Sequence, residues 1–369
     1  MIPLVDLMGN FRSIEGELRA AIDRVLLSGQ YIGGPEVERF ETAYAQFIGT
    51  KHCVGVANGT DALELVIRAL RLASNQSVLV PANSFVASAL AVERARAKVK
   101  LVDCTEDSLL DVEACASRID SSVKVVMPVH LFGQCAEMEK VEKLAKTHRL
   151  QVVEDAAQAQ GARRWDRAAG TFGIAAGTSF YPGKNLGAFG DAGAVLTHDD
   201  AMAKQLRALR NYGSEVKYSH PETGFNSRLD PIQAAVLSVK LGHLAKWNAA
   251  RVAAAERYHR LLQGVDDVRA PRALEGNEHV WHIYAVRVPA SVRDRVLQRL
   301  HDAGIGAGLH YPTPIHLQGA FAHLGHSPGD FPVAERLASE MISLPMYPEL
   351  DAAAQAQVVD ELNKALRAA

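Results

Sequence analysis

Cysteine is scarce in this chain of 369 residues: there are four, at positions 53, 104, 115 and 135, and no two form a C-x-x-C pair. That spacing argues against a zinc ribbon and a disulfide-built scaffold and fits a reducing compartment. An excess of one charge is lacking too. Lysine and arginine number 40 against 42 aspartate and glutamate, a formal charge of −2. The basic footprint of a nucleic-acid binder is therefore missing, and an anionic ligand has to be met by a local cluster of donors. No apolar run approaches the ~18 residues that a membrane span needs. The first six residues carry no basic leader followed by an apolar block, so the expected location is the cytoplasm and no membrane partner is expected. There is no G-x-S-x-G elbow, internal repeat or low-complexity segment. His279/His282 and His323/His326 are each spaced by three, but no cysteine or third histidine completes a metal set, so no metal site is expected. The glycine rhythm at 304–308 follows a helix instead of a strand and reads as a helix cap and turn, not a dinucleotide loop.

What is present is an alternation of short apolar segments with helical ones. With 48% apolar and 22% charged residues over this length, an ordinary globular protein of two domains is expected. Helices are predicted at 13–28 and at 35–48, the second opened by Pro35, with a glycine-rich loop holding Tyr31 between them. Strands are predicted at 53–57, 77–80, 99–102, 124–129 and 150–153. Helices separate them at 62–71, 84–96, 112–118 and 138–148. Two further strands, 178–180 and 194–197, flank a loop rich in small residues, and a helix follows at 199–210. This order implies a mostly parallel sheet with helices on both faces. An Ala/Arg/Leu-rich helix at 241–263 reads as the link to a smaller α+β domain, with a strand at 283–288, helices at 292–303 and from 352, and a Pro/His-rich segment at 310–316. The division expected is 1–245 and 246–369.

In such sheets ligands bind outside the carboxyl ends of the strands. Lys184 lies in the small-residue loop, Ser179-Phe-Tyr-Pro-Gly-Lys184, where it can approach a carbonyl carbon. Asp155 ends an apolar strand, where a carboxylate can hold a protonated ring nitrogen. Alone, either residue reads as merely solvated; together they suggest pyridoxal phosphate, with Lys184 as Schiff-base former. Gly55-Val-Ala-Asn-Gly-Thr-Asp61 passes from strand to helix, and the amides of Gly59, Thr60 and Asp61 with the Thr60 hydroxyl fit either a phosphate cradle or a simple N-cap. Phe85 follows a strand and could stack on a flat ring, Gln158 lies one turn beyond Asp155, and Ser179 could add a phosphate contact.

These motifs identify a resemblance. The chain resembles the DegT-type nucleotide-sugar aminotransferases of the aspartate-aminotransferase (fold type I) superfamily. It does so through Ser28-Gly-Gln-Tyr-Ile-Gly-Gly-Pro35, Val56-Ala-Asn-Gly-Thr-Asp-Ala-Leu63, Val129-His-Leu-Phe-Gly-Gln134, Glu154-Asp-Ala-Ala-Gln158 and the lysine loop. Arg210-Asn-Tyr-Gly213, Asn226-Ser-Arg-Leu-Asp230, His310-Tyr-Pro-Thr-Pro-Ile-His316 and Leu344-Pro-Met-Tyr347 extend it over nearly the whole chain. The resemblance implies a fold type I α/β transferase: a large, mostly parallel-sheet domain and a smaller C-terminal α+β domain. It implies Lys184 as Schiff base and proton carrier, Asp155 on the ring nitrogen, Gln158 on the ring hydroxyl and Phe85 on the ring face. Gly59, Thr60, Asp61 and Ser179 would hold the phosphate, and Asn226 would reach the phosphate of a neighbouring chain in a homodimer with shared sites. Lys217, His310 and Tyr311, with Tyr31 and Tyr181, would meet the nucleotide diphosphate or sugar. Relatives with histidine in place of the lysine are sugar dehydratases, and Lys184 argues against that branch. The lysine-loop wording is similar to that of dTDP-3-keto-6-deoxyhexose 3-aminotransferases, which take their amino group from glutamate. Alternatives are amination at C4 or of a UDP-linked keto-sugar, a pyridoxal-dependent lyase, and a cofactor-holding regulatory protein.

Overall fold

The computed structural model describes residues 1–368. Seven strands form the central sheet: β1 (His52–Val56), β2 (Ser77–Pro81), β3 (Lys98–Val102), β4 (Val123–Val126), β5 (Gln151–Asp155), β8 (Ala175–Ser179) and β9 (Gly193–Thr197), in the order β1-β9-β8-β5-β4-β2-β3. The short strands β6 (Arg163–Arg164), β7 (Arg167–Ala168) and β10 (Asn277–Glu278) make a separate ribbon. Strands β3, β2, β4, β5 and β8 run parallel, and β9 is antiparallel to both β8 and β1. The parallel strands are apolar on both faces because helices cover both. Val78, Val80, Leu101, Val125 and Val153 point into one core layer, while Leu79, Val102, Val126 and Val152 point into the opposite one, as the two-residue period of a strand requires.

Each expected strand exists, with ends shifted by one to three residues, as at β4 and at β8, which closes at Ser179 and leaves Phe180 outside. The helix expected at 62–71 is Gly59–Ala69, and Asn58 is its N-cap, accepting from Asp61 N–H at 2.8 Å. The helix expected at 84–96 is Val86–Arg94. The first helix is longer than expected and broken, running Leu7–Ser13 and then Glu15–Ser28.

The largest departure is at 241–263. One 31-residue helix, Pro231–Leu261, starts ten positions earlier than expected, at a proline in its first turn. Its first half packs Ala234, Leu237 and Leu244 against the sheet's helical layer. Its second half packs Ala254, Ala255 and Tyr258 into a C-terminal core. Position 245, the expected boundary, lies within this continuous helix. That C-terminal core is built on β11 (Tyr284–Arg287), paired antiparallel with β12 (Met341–Leu344), and on helices Arg293–Asp302 and Ala352–Arg367. Ile2 joins it, through a bridge to Ile305.

The carboxyl ends of β1, β2, β5 and β8 all open on the same edge of the sheet. The turn after β1 lies so close to β8 and β9 that only glycine fits. A Cβ on Gly59 would stand 2.6 Å from Ser179 Cβ, and one on Gly193 2.4 Å from the Asn58 carbonyl carbon. Among the described residues no helix is long and apolar enough to cross a membrane, and no group of three or more His, Cys, Asp or Glu could hold a metal ion.

Candidate active site

A cavity of about 560 Å³ lies at this edge, between the sheet and the C-terminal core. Lys184, Asp155, Gln158, Phe85, Gly59, Thr60, Ser179, Tyr181, His310 and Tyr311 all line it. These come from five separate stretches of sequence, brought together by the strand ends.

Lys184 is held by a short turn in which its N–H donates to the Tyr181 carbonyl at 2.8 Å. The next residue, Asn185, is buried and donates to the Val280 carbonyl and to Asn248 Oδ1, each at 2.9 Å. The lysine thus projects from a loop fixed to the long helix and to the segment before β11. Burial lowers its pKa to about 8, opposed by the pull of the Asp155 carboxylate. Roughly a tenth of the amine is therefore uncharged at pH 7, far more than for an ordinary lysine, and that is the form a nucleophile or base needs.

Asp155 is 5% exposed and accepts from Ser88 Oγ at 2.6 Å and from the Ala157 N–H at 3.1 Å. The neighbouring carboxylate, Glu154, points to the other face of the sheet. It is fully buried and accepts from the N–H groups of Gly170, Phe172 and Gly173 at 2.7–2.8 Å and from the His130 ring at 2.8 Å. His130 Nδ1 accepts from Ala136 N–H, so Nε2 carries the proton given to Glu154. Glu154 fixes the strand on which Asp155 stands.

Gln158 Oε1 accepts from Phe132 N–H at 2.6 Å, and Nε2 donates to the Tyr311 hydroxyl at 3.0 Å. Burial pushes the Tyr311 phenol up, so it stays protonated. The Tyr311 and Phe85 rings lie 5.2 Å apart, tilted by 37°. Burial lowers His310 to about 4, and its Nδ1 lies 2.8 Å from Ser343 Oγ. His282, which sequence reasoning set aside as half of an incomplete metal pair, also lines the cavity. Its Nδ1 faces Asn185 Oδ1 at 3.2 Å, and burial, reinforced by Lys184, drives its pKa far down. Both imidazoles are neutral.

The helix Gly59–Ala69 begins at the cavity wall. Asn58 takes up the Asp61 N–H, which leaves those of Gly59 and Thr60 without an intrahelical partner, beside Ser179 Oγ. This is an anion cradle at a helix N-terminus. A buried amine of lowered pKa, a buried carboxylate, an aromatic face and free N–H groups at a helix N-terminus on one wall fit pyridoxal phosphate.

Four expected site residues lie elsewhere in this chain. Asp61 is turned away from the cavity: it accepts from Ser227 Oγ at 2.8 Å and pairs with Arg94 at 3.3 Å. Its N–H serves the cap, so the three-amide cradle expected from the sequence is reduced to two. Asn226 is exposed, on a stretch bridged to Asn211. Lys217 is exposed with its amine 5.0 Å above the Tyr218 ring. Tyr31 is 53% exposed and donates to the Leu26 carbonyl at 3.0 Å.

Residues 12–363 match the DegT/DnrJ/EryC1/StrS aminotransferase family. The chain is 43% identical to the erythromycin biosynthesis sensory transduction protein EryC1 of Saccharopolyspora erythraea, over 98% of this chain and 99% of that protein. It is 42% identical to the dTDP-3-amino-3,4,6-trideoxy-alpha-D-glucose transaminase of Streptomyces venezuelae, over 98% and 96%. The crystal structure of S. venezuelae DesV in complex with ketimine intermediate superposes with a TM-score of 0.95 at 42% identity, covering 98% of both chains.

Proposed function

The chain belongs to the DegT/DnrJ/EryC1/StrS aminotransferase family, whose members are pyridoxal-phosphate-dependent sugar aminotransferases, and on that premise we propose that it aminates C3 of a dTDP-linked 3-keto-6-deoxyhexose with glutamate as donor. The observation that carries this reading is the presence of Lys184, Asp155 and the Gly59–Thr60 cradle on the wall of one cavity. The loop wording from Ser179 to Gly187 supports C3 over C4, and the 42% identity to a dTDP-3-amino-sugar transaminase agrees with a dTDP-linked substrate.

Bound here, pyridoxal phosphate supplies an aldehyde that carries the amino group and a protonated ring that takes up electron density. The chain's residues do the rest. Gly59 and Thr60 N–H with Ser179 Oγ would hold the phosphate, Asp155 would keep the ring nitrogen protonated, Gln158 would orient the ring hydroxyl, and Phe85 would cover one face. Lys184, its amine shifted by burial toward the uncharged form, would take up the proton from the donor's α-carbon and, with the keto-sugar, would give one to the sugar carbon that gains the amino group. His310, Tyr311 and Tyr181 face the same space and orient the sugar and diphosphate.

A homodimer completes the reading. Leu27, Tyr31 and Ile32 are 88%, 53% and 61% exposed, an apolar face suited to a second copy. Across it Asn226 reaches the neighbour's phosphate, and Lys217 and Tyr31 its nucleotide. Asp61 contributes indirectly, by holding Ser227 beside Asn226.

The test is a panel: purified enzyme, glutamate and dTDP- or UDP-linked sugars with the ketone at C3 or C4, with and without an oxygen at the neighbouring carbon. The expected product is the 3-amino dTDP-sugar, with 2-oxoglutarate formed in equal amount. Amination at C4 alone, a deoxygenated sugar, or no glutamate half-reaction contradicts the reading.

A further inference from the structure

Ser88 lies in the first turn of the helix Val86–Arg94, fully buried. Its hydroxyl points to Asp155 Oδ2 at 2.6 Å. Its oxygen lies 2.7 Å from that of Ser84, which is 4% exposed and lines the cavity. The proton order follows from chemistry. An ionised Asp155 can only accept, so the Ser88 proton points to it; Ser88 then has only lone pairs left for Ser84, which must donate. The chain runs Ser84 to Ser88 to Asp155. It joins the end of β2 to the end of β5, with β4 between them.

The same turn carries Phe85, whose carbonyl accepts from the Ser88 N–H at 3.2 Å. With the Ala157 N–H on Oδ1, Ser88 fixes both carboxylate oxygens in one plane and ties that plane to the aromatic ring that covers the same ligand.

We propose that Ser88 is a positioning residue: with Ser84 it orients the Asp155 carboxylate toward the cofactor's ring nitrogen and couples that carboxylate to the Phe85 turn. This rests on the reading of Asp155 given above.

The test is a double-mutant cycle on the full-length protein, read by cofactor dissociation constant and by the pH dependence of the bound cofactor's visible absorbance. Ser88→Ala is expected to weaken cofactor binding about tenfold, the worth of one hydrogen bond to a charged group, and to move the absorbance midpoint. In an Asp155→Ala background the same change is expected to do neither, because the group it bonds is gone. Equal effects in both backgrounds, or no effect in either, overturn the proposal. Ser84→Ala, at the cavity edge, is expected to act in the same direction more weakly; should Ser88→Ala not fold, an unchanged Ser84→Ala enzyme overturns it. If the unaltered protein takes up no pyridoxal phosphate, the reading of the whole site fails first, and the proposal with it.

Discussion

Gln158 donates to the hydroxyl of Tyr311 at 3.0 Å, joining the end of β5 to the segment that closes the cavity from the C-terminal side. The bond ties together the two walls between which cofactor and sugar are proposed to lie.

Tyr311→Phe removes the acceptor and leaves a buried amide N–H unpartnered, at a cost of about 1–3 kcal/mol. The KM for the keto-sugar is expected to rise several-fold, with kcat changed less. Steady-state kinetics with the keto-sugar varied at saturating glutamate check this.

Apoenzyme should take up pyridoxal phosphate faster as pH rises through about 8. Only the uncharged Lys184 amine attacks an aldehyde, and burial has lowered its pKa to about 8. The rate is expected to climb below that pH and level off above it, followed by visible absorbance. A rate still rising steeply at pH 10 contradicts the lowered value.

Glu154→Gln should destabilise the fold. Three backbone N–H groups and the His130 N–H converge on this carboxylate; an amide offers fewer lone pairs and turns its own N–H₂ toward donors. A loss of about 3 kcal/mol or more is expected, visible as a lower urea midpoint with an unchanged slope.

If two chains share each active site, as proposed, a complementation experiment is decisive. Lys184→Ala and Asn226→Asp chains are each expected to be nearly inactive as homodimers, the second because its carboxylate repels phosphate. Mixed dimers regain one intact site. Mixing by unfolding and refolding, or by co-expression with two tags, should restore activity; no recovery contradicts the placement of Asn226 across the interface.

That Lys184 and Asp155 belong to one site was legible in the sequence because each sits where its residue type is unusual: a lysine among small residues, an aspartate ending an apolar strand; the fold brings both to one cavity. The sheet was legible for a similar reason, as β-branched runs separated by helical spacing. Ser88 was not. Nothing in its neighbours says that a helix serine aims at a carboxylate two strands away in the sheet. His282 was dismissed with His279 because only the fold separates their environments; His279 stacks 3.7 Å from Trp281 while His282 opens on the cavity. The start of the long helix was hidden because its buried face shifts along its length as it leaves one core for the other. The turned-away Asp61 follows from Asn58 winning the cap, a competition between the two readings that the sequence left even.

The central claim is that the amine of Lys184 bonds the cofactor's aldehyde carbon. Borohydride reduction of the cofactor-loaded protein followed by peptide mass mapping tests it directly. The expected result is one pyridoxyl-modified peptide, carrying the modification at Lys184, and none in Lys184→Ala. Modification at another lysine, or a loaded protein with no modified peptide, contradicts the account.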